Sequence, residues 1–347
     1  VIYSIVTAAA TSGDLAYNGL NASDVSVTNT DDDTAGFTLT PTSGLITTEA
    51  GGAASFTVVL TARPTANVAM GLISADTTEG TVNQASVTFT SDNWNIPQTV
   101  TITGVNDFLD DGDIAYDIVT TPASSSDSSY NGLSTGNVSV TNTDNDAAGI
   151  AVTPSFGLAT TEGVGAATFT VVLTSQPTAD VTIGLSSSDT TEGTISVSSL
   201  TFTAANWNTP RTVTVTGVND VVDDGDISYA IVTAAATSSD PDYNLFDASN
   251  VLVTNADNDV TSISVTPSSG LTTTEAGGTA TYTIVLTSQP SADVTIALSS
   301  TDTTEGTISQ SSLTFTPANW SVPQTVTVTG VNDAVDDGDI LYSISNA

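Results

Sequence analysis

The sequence predicts an all-β protein of tandem immunoglobulin-like sandwiches with seven strands each, and three observations carry that prediction. Thr, Ser, Val, Ala, Gly and Asp dominate its 347 residues, and β-branched side chains fill the apolar runs. Those runs are short, alternate apolar with polar positions, and are separated by turn residues. Shifting the chain by 113 residues lays TEAGGAASFTVVLTARPTANV (48–68) over TEGVGAATFTVVLTSQPTADV (161–181) and TEAGGTATYTIVLTSQPSADV (274–294) without a slip. A strict long period means one domain copied in tandem.

The period divides the chain. Residues 1–33 are the last part of a first repeat, its strands F and G. Residues 34–146 and 147–259 are complete β-sandwich repeats, and 260–347 is a repeat lacking its last strand. Because VIYSIVTA at the start matches ILYSISNA at the end, the chain is expected to be a window of a longer array. An alternative is that the N-terminal segment completes the open C-terminal repeat of a neighbouring copy by strand addition, giving head-to-tail filaments.

Within 147–259 the strands follow in order. Strand A lies near Ile150–Val152, and B is ATFTVVLT with Phe169, Val171 and Leu173 inward. Strand C is VTIGL with Val181, Ile183 and Leu185 inward, and D is SLTFT with Leu200 and Phe202. Strand E is RTVTVTGV with Val213 and Val215; F is ISYAIVT with Ile227, Tyr229 and Ile231; G is NVLVTN with Val251 and Val253. Seven strands with outward threonines in this length suit an immunoglobulin-like sandwich.

The net charge is −36, with Arg63 and Arg211 the sole basic residues. Nucleic acid is excluded as a partner, because binding phosphate needs many Lys and Arg. Anionic membrane surfaces are excluded for the same reason, and no apolar run is long enough for membrane insertion. With no cysteine, disulfides and thiolate metal sites are ruled out.

Ten positions are acidic in all three copies and account for 30 of the 38 carboxylates. In the complete repeat they are Glu162, Asp189, Glu192, Asp220, Asp223, Asp224, Asp226, Asp240, Asp257 and Asp259. If successive strands run alternately down and up, the A–B, C–D and E–F loops and the exit of G share one pole. All of these acids fall there except Asp240, expected to be a turn former before Pro241. Like charges about 5 Å apart repel by roughly 1 kcal/mol even in water. Such a pole needs cations, and hard oxygen donors without His or Cys suit Ca²⁺. A solvated acidic surface is the alternative, but it would spread over exposed faces and vary between copies.

The run TTEGVGAATFTVVLTSQPTADVTIGLSSSDTTEGT, followed by LTFT, TVTVTGVND, DDGDISY and VTNADND, resembles the Calx-beta repeat. That family is the calcium-binding β-sandwich of sodium/calcium exchangers, also found in the integrin β4 tail and in tandem arrays of large bacterial surface proteins. The resemblance implies calcium held by Glu162, Asp189, Asp220, Asp224, Asp257 and Asp259. The matching residues elsewhere are Asp31, Asp33, Glu49, Asp76, Asp107, Asp111, Asp144 and Asp146, then Glu275, Asp302, Asp333 and Asp337. The sequence departs from the family at Ile227, where a further acid is common.

The expected function is therefore that of an extracellular, structural calcium-binding region of a bacterial surface or fibre protein. Ca²⁺ at the junctions between neighbouring repeats would stiffen an extender of about 40 Å per domain. The competing class is an adhesive module recognising a glycan or cell-surface ligand, with Asn206-Trp207 the candidate sugar contact. A packed tryptophan beside a turn is the plainer reading of that pair. An enzyme is not expected: His, Cys and Lys are absent, and a carboxylate-pair hydrolase would need its site in triplicate.

Overall fold

A computed structural model describes residues 1–163 and 165–346. The chain forms two compact units, Val1–Asp146 and Ala147–Ala347. Every regular element among the described residues is a β-strand.

In the second unit, A (Ile150–Thr153), B (Ala166–Leu173) and E (Arg211–Gly217) form one antiparallel sheet, with Gly193–Ile195 beyond E. The facing sheet runs Leu158–Thr161, G (Val251–Ala256), F (Ile227–Thr233), C (Val181–Ser187) and D (Ser199–Phe202). Alternation sends Phe169, Val171, Val181, Ile183, Phe202, Val213, Val215, Ile231 and Val251 into one core. Ile227, expected inward, is half-buried where F leaves the acidic E–F loop.

All seven expected strands are present, and two short ones are additional. Strand A is interrupted at Pro154, which has no N–H, and at Gly157, whose φ of 75° turns the chain towards the other sheet. The continuation, Leu158–Thr161, pairs in parallel with G, from Leu158 opposite Val253 to Thr161 opposite Ala256. Glu162 therefore emerges beside Asp257. The second addition, Gly193–Ile195, pairs with E from Gly193 opposite Gly217, which places Glu192 against the start of the E–F loop. Both additions deliver a glutamate to the same pole.

The 34–146 region of the first unit repeats this plan. Phe37–Thr40, Ala53–Leu60, Gln98–Gly104 and Gly80–Val82 form one sheet. Leu45–Thr48, Val138–Thr143, Ile114–Thr120, Val68–Ser74 and Ser86–Phe89 form the other, with Ser124–Ser125 added at its edge. Ile2–Ile5 and Val25–Thr28 make a separate two-stranded hairpin. Residues 263–346 build a third core around Tyr282, Ile284, Phe315 and Val326. There, residues 271–274 form no strand, because the described residues offer no G strand for them to pair with.

The opposite pole of the complete repeats is closed by a buried polar knot. Asp240 is 3% exposed and accepts hydrogen bonds from Thr178 N (2.7 Å) and Asp242 N (3.0 Å). It is thus a turn former that also ties the F–G loop to the B–C loop. Tyr243 Oη donates to Ser175 O (2.7 Å) and accepts from Ser175 N (3.0 Å). Removing that hydroxyl leaves buried backbone groups unpaired, so Tyr243→Phe is expected to cost about 1–3 kcal/mol. Urea unfolding checks this, and an unchanged midpoint would contradict it.

Candidate metal centre

The floor of the acidic pole is a buried asparagine at the end of G. Asn255 is 1% exposed; its Oδ1 accepts from Thr160 Oγ1 (2.9 Å), and its Nδ2 donates to Val218 O (3.1 Å) and Glu192 Oε2 (3.3 Å). Asn142 holds Glu79 in the same way, at 3.2 Å. Gly217 lets this close approach happen, since a Cβ there would lie 2.5 Å from both Asn255 Oδ1 and Thr161 O.

Loop chemistry fixes the acids above that floor. Asp220 Oδ1 accepts from Val222 N (2.8 Å) and Asp257 Oδ1 from Asp259 N (2.7 Å), both local turns of the Asx type. Gly225, at φ 76°, folds the DDGD run back so that its N–H donates to Asp257 Oδ2 (2.8 Å). Asp226 Oδ1 accepts from Asp257 N (3.1 Å). The E–F loop and the segment after G are thereby stapled together.

Two carboxylate clusters result in each complete repeat. Glu162, Asp257 and Asp259 bring oxygens within 4.8 Å of one another, as do Glu192, Asp220 and Asp224. In the first unit the same spacing holds for Glu49, Asp144 and Asp146, and for Glu79, Asp107 and Asp111. Glu79 and Glu192 are absent from the ligand set implied by the sequence resemblance. Asp76, Asp189 and Asp302, which that set includes, stand outside these clusters. Asp189 Oδ1 accepts from Thr191 N (3.0 Å) and Thr191 Oγ1 (2.5 Å), and these bonds, led by the hydroxyl, hold its carboxyl below the usual range. The DTTEG pattern carries the signal: an Asp with Thr two positions on caps its own turn, leaving the following Glu to face inward.

Asp31 and Asp33 cluster with Asp32 and are exposed. Glu275 is exposed because the strand that would carry it to the pole is not formed, while Asp333 and Asp337 face Glu305, whose carboxyl is raised by burial and by those neighbours.

The clusters are short of positive charge and of hydrogen-bond donors. Among the described residues the one ion pair, Arg63 to Asp92 at 4.0 Å, is exposed and lies elsewhere in the chain. Among the described residues, Glu162 Oε2, Asp146 Oδ2 and Asp259 Oδ2 are buried with no hydrogen-bond partner. Buried, unpaired carboxylate oxygens are costly unless a cation takes them. Burial pushes Glu49 up from 4.5 to about 7, aided by Asp107, Asp144 and Asp146 and opposed by a hydrogen bond from Asn145. Glu79, Glu162, Glu192, Asp111, Asp146, Asp224 and Asp259 are raised, burial first and neighbouring carboxylates next.

Raised carboxylates hold their protons longer in the folded state. Their contribution to stability is therefore full below about 4.5 and is lost as pH rises through about 7, as for Glu49. Asp76, Asp189 and Asp302 act oppositely, and their contribution is lost as pH falls. In calcium-free buffer the chain is expected to be less stable at pH 7.5 than at pH 5. Urea midpoints at the two pH values decide this, and a higher midpoint at pH 7.5 would contradict it.

The donor set fits a hard cation: all-oxygen, multidentate, drawn from several loops, without His or Cys. Zinc would lack its preferred ligands.

Neither a family model nor a curated relative matches this sequence. Among solved structures, the chain is similar to CBD12 from CALX1.2, with 14% identity over 62% of this chain and 98% of that one, at a TM-score of 0.31. It is also similar to the calcium binding domain CBD12 of CALX1.1, with 18% identity over 58% and 80%, TM-score 0.30. A third similarity is to domains 4 and 5 of the S-layer protein SbsC, with 20% identity over 54% and 75%, TM-score 0.25. The strands and sheets described above, not these likenesses, establish the tandem immunoglobulin-like architecture.

Proposed function

We propose that this chain is a calcium-binding structural repeat region of an extracellular bacterial surface or fibre protein, in which Ca²⁺ at the acidic poles stiffens successive repeats into an extender. The observation that carries the reading is the set of buried, partnerless oxygens of Glu162, Asp146 and Asp259, each within a three-carboxylate cluster. Calcium offers six to eight coordination positions in loose geometry, enough for mixed carboxylate and carbonyl donors. Glu162, Asp257 and Asp259 would hold one ion and Glu192, Asp220 and Asp224 a second, with Glu49, Asp144, Asp146, Glu79, Asp107 and Asp111 equivalent in the preceding repeat. Neutralising them removes the repulsion that otherwise splays the loops next to the linker.

The glycan-binding alternative has less support from the recurring Asn-Trp pair. Trp94, Trp207 and Trp320 pack against the three cores, and Asn206 Oδ1 caps a turn by accepting from Thr203 N (2.9 Å). Small-angle scattering of the intact chain with calcium and with EGTA tests the extender reading. A larger maximum dimension in calcium is expected, and an unchanged one would sink it.

A further inference from the structure

The E–F loop carries four recurring aspartates, and three have duties within their own repeat. Asp220 and Asp224 belong to the cluster with Glu192, and Asp226 caps Asp257 N. Asp223 also interacts with Asp257 of its own pole, and in addition it reaches out of the repeat. Its Oδ2 accepts from the backbone N–H of Thr261, in the linker to the next repeat, at 2.6 Å. Thr261 Oγ1 in turn shares a hydrogen bond with Ser288 Oγ (3.1 Å), in the next repeat's B–C loop. One residue along, Gln289 N donates to Val221 O at 2.7 Å. The loop that bears two cluster carboxylates therefore grips the following repeat through its tip, by one charge-assisted bond and one backbone bond.

We infer that Asp223 is a positioning residue, a latch that fixes the next repeat against the E–F loop through Thr261 and Ser288, and not a cation ligand. Adjacent domains joined by a short linker move relative to each other unless contacts hold them. Here the hydrogen bonds of Asp223 and Val221 supply such contacts. The latch also links the cation clusters to the junction, because Asp223 lies between Asp220 and Asp224 in one short loop. The coupling rests on the calcium reading above, whereas the latch itself does not.

The absence of native cysteine makes a spin-label experiment clean. Thr212→Cys and Thr325→Cys put labels on exposed positions of strand E and of its equivalent in the next repeat, Gln324–Gly330. In the full chain, the inter-label distance distribution is expected to be narrow with calcium. Asp223→Ala should broaden it measurably, as expected for an unrestrained pair of domains, with calcium stoichiometry by calorimetry unchanged. Asp223→Asn keeps an acceptor for Thr261 N–H and should stay close to the native width. The inference is overturned if Asp223→Ala keeps the native distribution, or if Asp223→Asn loses calcium. Should Asp223→Ala disturb the loop's own fold, Thr261→Pro removes the donor without touching a carboxylate and must give the same broadening. If the native chain binds no calcium, the cation reading fails, and the latch is still judged by variant against native in one buffer.

Discussion

Replacing Glu49 and Glu162 with glutamine will stabilise the calcium-free chain at neutral pH and blunt its response to calcium. Each glutamate is buried, at 3% and 7% exposure, among aspartates and with almost no cation in the sequence to pair with. A shift of one pKa unit corresponds to about 1.4 kcal/mol between protonation states. The rise of Glu49 from 4.5 to about 7 therefore represents a few kcal/mol of unfavourable charge burial when no ion is present. Glutamine keeps the shape and removes the charge. With calcium the sign reverses, because a ligand at a hundred times its dissociation constant adds about 2.7 kcal/mol per site, and the variants lose a donor at one cluster in each complete repeat. Melting temperatures in EGTA and in calcium should thus cross over between native and variant. Parallel shifts in both buffers would refute the argument.

Gly193→Ala should be among the most damaging single changes in the second unit. Its added Cβ would sit 2.0 Å from the hydroxyl of Tyr229, 2.4 Å from Cζ and 2.7 Å from Cε2. Tyr229 lies on F with its ring buried in the core, so relief requires backbone movement, at about 1–3 kcal/mol or more. Tyr229→Phe will not rescue the variant, since the ring carbons clash too. Because Glu192 immediately precedes Gly193, the same change should displace a cluster carboxylate. Calcium titration of the variant would then show fewer ions bound, whereas an unchanged melting temperature would exclude the clash.

The fold was largely legible because period-two alternation in B, C, E, F and G survives three times in one chain. What escaped was short and non-local. Leu158–Thr161 shows no alternation that separates it from a loop, and its partner G lies some ninety residues further on; nothing local predicts a parallel pairing. Gly193–Ile195 is three residues long and is held by E alone. These omissions explain the different standing of the acids. Recurrence brought both Asp189 and Glu192 into view, but only the pairing of Gly193 with Gly217 turns Glu192 inward, while Thr191, two positions after Asp189, occupies its carboxylate. Asp223 was equally visible as a recurring acid. Its contact with Thr261 could not be read from the sequence, because it depends on how the E–F loop meets the next repeat.

The most direct test of the central claim is a calorimetric titration of the chelator-treated chain with calcium, repeated with magnesium and with Glu49 and Glu162 replaced by glutamine. The account predicts saturable binding of several calcium ions per chain, weak competition by magnesium, which gives up its waters reluctantly, and fewer ions in the variant. A native chain that takes up no calcium, and melts at the same temperature with and without it, would contradict the account.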